Sequence, residues 1–148
     1  EPNSCHAAVT AKRNVTNTRR VPPNPTAPQS RIELKTVWHR TDDQLAAAAL
    51  NSPHPVIVLD VVGKAVGSPE FGELLYKSLE TGGSRTSFVI GGAEGLPPAL
   101  LAGAGGKVGQ MPRISLSKMT FTHQMARALL AEQVYRAAEL RRGSGYHK

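Results

Sequence analysis

The spacing of apolar and polar positions predicts strands and helices in alternation along the chain. Residues 32–38 alternate between the two classes, which is typical of an exposed strand. Residues 56–62 form an unbroken, mostly β-branched run, so we expect a strand buried on both faces, as in a parallel sheet. Residues 86–90 predict a second buried strand, and residues 114–116 are a further strand candidate.

Helix signals lie between these runs. Thr41 is a capping residue ahead of a short alanine-rich helix that ends near Leu50. Ser68 and the proline after it predict a second helix start, and its apolar stripe stops at residues 81–83. The longest helix is predicted over residues 122–142. Strands that alternate with helices predict an α/β fold with a mostly parallel sheet flanked by helices.

In such sheets ligands bind at the carboxyl ends of the strands. Gly91 and Gly92 directly follow a buried strand, and glycine lets backbone groups approach a ligand closely, although a tight turn is the simpler explanation of the spacing. The second glycine-rich stretch, residues 103–107, does not fit a phosphate-binding loop because Leu101 and Val108 occupy two of its required positions. The histidines show no metal-ligand spacing, and the single cysteine, Cys5, excludes an intrachain disulfide.

Length and charge narrow the picture further. The 148 residues suit one domain, and the net charge of +7 favours a phosphate-backbone partner. Residues 1–31 hold five of the basic side chains, one acid and several prolines, without apolar periodicity. We therefore expect this segment to be disordered, as a linker or as a transit-like segment. No apolar run is long enough for a membrane span. We expect an intracellular protein, either cytoplasmic or, if the segment is transit-like, plastid or mitochondrial.

Several motifs in the second half of the chain, taken in order, resemble one family closely. They are Leu-Ser-Lys-Met-Thr-Phe at 116–121, His-Gln-Met at 123–125, Glu-Gln-Val-Tyr-Arg-Ala at 132–137 and Tyr-His-Lys at 146–148. The segment 88–96 fits the same pattern. Together they are similar to the RlmH family, the SPOUT-class methyltransferases of pseudouridine in large-subunit ribosomal RNA.

This resemblance implies that the C-terminal part of the chain forms a deep trefoil knot. It also implies S-adenosyl-L-methionine as cofactor, bound in the knot, and a homodimer whose active site is shared between the subunits. By motif position, the cofactor-binding residues are Leu59, Gly91, Leu116, Ser117, Lys118, Met119, Thr120 and Phe121.

The implied reaction is methyl transfer to N3 of a pseudouridine on the assembled ribosome. The N3–H group is a weak acid, so either a base or cations that stabilise its anion would help the reaction. By family position, the catalytic candidates are Tyr146, His147 and Lys148, with Glu132, Arg136 and His123 in support. The alternative is a non-catalytic ribosome- or RNA-binding module that keeps the fold and is indifferent to S-adenosylmethionine.

One departure from the family concerns the start of the fold. The family begins with a hydrophobic strand and a helix, and residues 1–31 contain nothing similar. The methyltransferase domain is therefore predicted over residues 32–148 and as N-terminally incomplete. The missing strand would lie inside the sheet, so its loss should leave exposed apolar surface and a free strand edge. A truncated or inactive form is an open alternative.

Overall fold

The computed structural model describes residues 6–15, 30–101 and 106–147. A five-stranded sheet lies between two helical layers. Its elements, in chain order, are β1 (His6–Val15), β2 (Ser30–His39), α1 (Asp42–Leu50), β3 (Val56–Ala65), α2 (Ser68–Thr81), β4 (Arg85–Ile90), α3 (Pro98–Leu101), β5 (Arg113–Ser115) and α4 (His123–Arg141). Short 3₁₀ turns at Val108–Gln110 and Gly145–His147 complete the described elements.

The sheet has the strand order β2-β1-β4-β3-β5. Strand β3 pairs in parallel with both β4 and β5, as the sequence predicted. Strand β1 is antiparallel to β2 and to β4. The sheet is therefore mixed, with four strands in one direction and β1 in the other, and β2 is the expected edge strand.

The predicted disorder of residues 1–31 is wrong for His6–Val15, which forms β1 in the interior of the sheet. Ala7, Val9 and Ala11 are almost fully buried against the helices on one face. These small side chains carry a weak hydrophobic signal, and Ala8 between Ala7 and Val9 breaks the alternation with polar residues, so their period of two was hidden in the sequence. The sequence predicted that an interior strand of the sheet would be missing. β1 lies between β2 and β4 and so occupies an interior position of that kind. Residues 16–29, covered by the same prediction, lie outside the described residues.

Helices α2 and α4 cover one face of the sheet. They bury side chains such as Phe71, Leu75 and Leu130 against Phe88. Helix α1 and the short α3 cover the other face with Leu45 and other apolar residues. The start of α1 is as predicted, since the Thr41 hydroxyl accepts the Gln44 N–H at 3.2 Å. Helix α2 differs in its cap: Gly67, and not Ser68, is the N-cap residue.

Strand β3 departs from the predicted burial at its midpoint. Residues 56–59 are buried, but Val61 and Val62 are 46 % and 81 % exposed. The cause is a bulge, because Ile114 of β5 is aligned with both Leu59 and Lys64. The four residues between those two points leave the sheet, and their apolar side chains point away from the core.

Candidate active site

A cavity of about 550 Å³ opens at the carboxyl ends of the three parallel strands. This volume lies in the range of small-molecule sites, about 300–1,000 Å³. Four segments form its walls: β3 at the bulge where its pairing with β4 ends, the end of β4 with the following turn, the loop between β5 and α4, and the first turn of α4. The lining residues are Leu59–Val61, Ile90–Ala93, Gly95, Leu96, Ser115–Ser117, Met119–His123 and Ala126.

The wall after β4 is backbone with little side chain in front of it. A Cβ atom on Gly91 would overlap the carbonyl group of Gly95, so only glycine fits this close approach. Gly95 itself has φ of +91°, a conformation that glycine adopts readily. The turn is closed by the Gly95 N–H, which donates to the Gly92 carbonyl at 3.1 Å. The shape of this wall is therefore fixed by contacts within the turn.

The loop between β5 and α4 is held by two serines. Ser115 is buried and its hydroxyl donates to the Ser117 carbonyl at 2.7 Å. The Ser117 hydroxyl accepts the Met119 N–H at 3.0 Å, which folds the loop back on itself. At its far end the Thr122 hydroxyl caps α4 by accepting the Met125 N–H. The loop thereby presents its residues 119–121 to the cavity.

The structure brings together nearly all the predicted cofactor-binding residues. Seven of them line the cavity: Leu59, Gly91, Leu116, Ser117, Met119, Thr120 and Phe121. Lys118 belongs to the same loop, but its side chain is exposed and it is not among the lining residues. Their assignment as cofactor ligands stays a prediction.

Asp60 is a lining residue that sequence reasoning did not single out for chemistry. Its carboxylate is only 14 % exposed and forms an ion pair with Arg113. It also accepts the Val62 N–H at 3.3 Å, inside the bulge of β3. The feature of the sequence that could have identified it is an acidic residue directly after the apolar residues 56–59. Asp60 therefore brings a fixed negative charge, balanced by Arg113, to the cavity wall.

His6 supports the cavity from behind and was missed entirely. It lies in β1 and is 3 % exposed. Its Nδ1 accepts the Gly92 N–H at 3.0 Å, and its Nε2 lies 2.9 Å from Oδ1 of Asp42. The residue falls in a segment predicted to be disordered, so no local signal pointed to it.

Three of the predicted catalytic residues form a second cluster. Oε1 of Glu132 accepts from Nε of Arg136 at 2.9 Å and from Nη2 at 2.5 Å. The Arg136 guanidinium lies 5.0 Å from the centre of the Tyr146 ring, which meets Tyr135 edge-on. The hydrogen bond to Glu132 raises the pKa of Arg136 above its ordinary value, so this group remains cationic. Lys148 and the side chain of His147 lie outside the described residues.

His123 lies apart from that cluster. It is the first residue of α4 and lines the cavity. Glu132 and Arg136 follow nine and thirteen residues later, which at 1.5 Å per residue is roughly 14 and 20 Å along the helix. Within one chain, the cavity and the Glu132–Arg136–Tyr146 cluster are therefore separate.

Two absences hold for residues 6–15, 30–101 and 106–147. No group of three or more His, Cys, Asp or Glu side chains there is arranged to hold a metal ion. No helix among them combines the length and apolar character that crossing a membrane requires.

Comparison of the sequence with known protein families gives a match over almost the whole chain. The family described as "Predicted SPOUT methyltransferase" matches residues 8–147, which includes most of β1. The chain belongs to this SPOUT methyltransferase family.

Similar proteins of one name indicate the group within the family that this chain resembles. Ribosomal RNA large subunit methyltransferase H of Protochlamydia amoebophila is 38 % identical over 120 residues, covering 81 % of this chain and 80 % of that protein. The protein of the same name from Clostridium botulinum (strain Okra / Type B1) is 47 % identical over 93 residues, covering 63 % of this chain and 55 % of its own. That from Desulfotalea psychrophila is 45 % identical over 93 residues, covering 63 % and 57 %. The resemblance to RlmH drawn from the motifs is thus confirmed.

Proposed function

We propose that this chain is an S-adenosylmethionine-dependent methyltransferase that acts on N3 of a pseudouridine in large-subunit ribosomal RNA, on the assembled ribosome. The ribosomal RNA named in the description of its relatives supports the RNA substrate. The observation that carries the proposal is the cavity at the carboxyl ends of β3, β4 and β5, because seven of the eight predicted cofactor-binding residues line it.

The cavity fits the proposed cofactor in chemistry as well as in size. Gly91 lets the turn fold closely against Gly95, and it lines the cavity, where its peptide group can pair with the edge of an adenine. Leu59, Leu116 and Phe121 supply apolar surface for its rings. Asp60 supplies a carboxylate on the same wall. When bound, S-adenosylmethionine supplies an electrophilic methyl group on a positively charged sulfur.

The residues of the second cluster are assigned to the RNA base. Arg136 stays protonated, so its role is to stabilise negative charge that develops on the base as the N3 proton leaves. Glu132 holds the guanidinium through two hydrogen bonds and fixes its direction. Tyr146 covers one face of that guanidinium. His147 and Lys148 belong to the same proposed set, and they are the candidates for removing the proton.

The distance along α4 favours an active site shared by two subunits. The cavity lies at the start of α4, and the second cluster lies roughly 14–20 Å further along it. A second copy of the chain would bring its own cluster to the first copy's cavity. Exposed apolar side chains beside the cavity, Val61 at 46 % and Met119 at 69 %, are suited to such a contact. The deep trefoil knot that the family resemblance implies is part of the same proposal.

The function is tested with labelled S-adenosylmethionine and ribosomes that lack the modification, with free ribosomal RNA as the control. We expect label at N3 of a large-subunit pseudouridine, from ribosomes and not from free RNA. Cofactor binding without transfer would contradict the catalytic proposal. Ribosome binding without cofactor binding would favour the non-catalytic module instead.

The shared site is tested by mixing two inactive variants. Gly91→Ala disables the cavity and Tyr146→Ala disables the cluster, so each variant alone should be inactive. In a shared-site dimer, a mixed pair contains one intact site. Co-expression with different tags should therefore restore roughly a quarter of wild-type activity. No recovery from mixed dimers would mean that each active site lies within one chain.

A further inference from the structure

Trp38 is aligned across the strands of the sheet with two residues that line the cavity, Ile90 and Leu59. Trp38 of β2 is aligned with Ala7 of β1, Ala7 with Ile90 of β4, and Ile90 with Leu59 of β3. Aligned residues of paired strands share one face, so Trp38 lies on the face that carries Ile90 and Leu59. Strands are spaced about 4.8 Å apart, which places the Trp38 backbone roughly 10 Å from Ile90. Only the small Ala7 stands between them.

The indole is exposed although it belongs to the largest apolar side chain in the protein. Trp38 is 42 % exposed. It meets the ring of His123, a cavity-lining residue, edge-on at 5.7 Å between centroids. The Arg127 guanidinium lies 5.3 Å from the centre of the indole. These three side chains, the Trp38 cluster, extend the cavity wall outward onto the surface.

Arg127 differs from the other arginines of α4. Arg136 pairs with Glu132, and the two at the helix end pair with Glu80 and Glu139. Across the part of the chain that the structure describes, no carboxylate lies within ion-pair distance of Arg127. Its positive charge is therefore available to an anionic ligand that comes to rest against the indole.

Chemistry of this kind recognises unpaired nucleotides. Single-stranded bases stack on aromatic rings and on arginine planes, while the guanidinium also neutralises a phosphate. We infer that the Trp38 cluster is a stacking platform for an unpaired base of the RNA substrate beside the cavity. This inference rests on the proposed function and deepens it, because it assigns the surface from which the RNA enters the site.

Fluorescence tests the platform without any need for catalysis. The chain contains one tryptophan, so its emission reports on Trp38 alone. We expect a single-stranded oligouridylate to quench that emission, since a stacked base quenches indole. An abasic oligomer of equal length and charge should leave the emission unchanged. Equal effects from both oligomers, or none from either, would overturn the inference.

The kinetics of methyl transfer to ribosomes, compared among matched variants, are the second test. Trp38→Ala should raise KM for ribosomes about tenfold or more, while S-adenosylmethionine affinity stays at the wild-type value. Trp38→Phe should recover part of the loss because it keeps a ring. Val37→Ala is the control: Val37 is also 42 % exposed, but as the neighbouring residue it points to the opposite face of β2.

Two results would refute the platform even if the wild-type enzyme is active. One is a Trp38→Ala variant that matches Val37→Ala in KM. The other is a Trp38→Ala variant that sediments as a smaller species, which would make this surface a contact between copies of the chain. Failure of the wild-type protein to transfer methyl groups would count against the proposed function, whereas the fluorescence result would still decide whether bases stack on Trp38.

Discussion

Nδ1 of His6 accepts a hydrogen bond from the backbone N–H of Gly92 at 3.0 Å, and this bond ties β1 to the cavity wall. Because Nδ1 is the acceptor, the imidazole is in the tautomer that carries its proton on Nε2, toward the carboxylate of Asp42. A Cβ atom on Gly92 would lie 2.8 Å from the His6 ring, so the two residues are in close contact. The position of the glycine turn therefore depends on β1.

Substitution of His6 should weaken cofactor binding, and the extent should depend on whether the new side chain supplies an acceptor in the place of Nδ1. In His6→Asn the side-chain oxygen takes the place of Nδ1 and can still accept from Gly92. In His6→Gln the acceptor is displaced, and the Gly92 N–H loses its partner, at a cost of about 1–3 kcal/mol in unfolding free energy.

We expect the dissociation constant for S-adenosylmethionine, measured by calorimetry, to rise several-fold more in His6→Gln than in His6→Asn. Equal affinities in the two variants would show that the bond to Gly92 does not position the turn.

Gly91→Ala should reduce cofactor affinity at least tenfold. The added methyl group would overlap the Gly95 carbonyl, so the turn must shift and the cavity wall with it. Gly67→Ala is the matched control, because the nearest atom to its added methyl group would be 3.8 Å away, at ordinary contact distance. Binding titrations on both variants decide the matter, and unchanged affinity in Gly91→Ala would mean that this wall does not hold the cofactor.

Arg136→Lys should lower kcat roughly 100-fold and leave cofactor affinity unchanged. Lysine keeps the charge but loses the planar pair of bonds to Glu132, and the proposed role of Arg136 is toward the RNA base and not toward the cofactor. The control is Arg141→Lys, a change of the same type at an exposed arginine of the same helix. A Kd that rises along with the fall in kcat would place Arg136 at the cofactor instead.

Asp60→Asn should destabilise the protein by about 1–3 kcal/mol, as measured by urea unfolding. The substitution removes the charge that balances Arg113 while the amide keeps the shape of the side chain.

Glu70→Gln provides the comparison for Asp60, since it breaks an exposed ion pair with Lys64 and should cost only about 0–1 kcal/mol. If both changes cost the same, the Asp60–Arg113 pair behaves as an ordinary surface pair and does not fix the bulge.

The sequence predicted the elements whose signals are local. The cap at Thr41, the helix α4 and the glycines after β4 each depend on residues within one or two turns of chain. The cavity followed from the strand ends together with the family motifs. Glu132 and Arg136 were predicted by family position, and their spacing of four residues on α4 accounts for the ion pair between them.

What the sequence did not predict depends on contacts between distant segments. β1 is recognisable only once Ala7 and Ala11 lie against the helices, because alanine is a poor marker of burial. The exposure of Val62 results from a register shift against β5, which no pattern within β3 encodes. His6 meets Gly92, and Trp38 meets His123, only through the order of strands in the sheet.

That strand order has a consequence for the order of folding. β2 is joined to the sheet only through β1, and β1 pairs with β4, whose residues follow some seventy positions later. During synthesis β1 and β2 can therefore pair with each other as a ribbon, but one side of β1 stays open until residues 85–90 have emerged. A two-stranded ribbon is marginal in water, and its open edge can pair with other chains. The strand that supports the cavity wall through His6 is therefore the one whose edge stays unpaired for the longest stretch of synthesis.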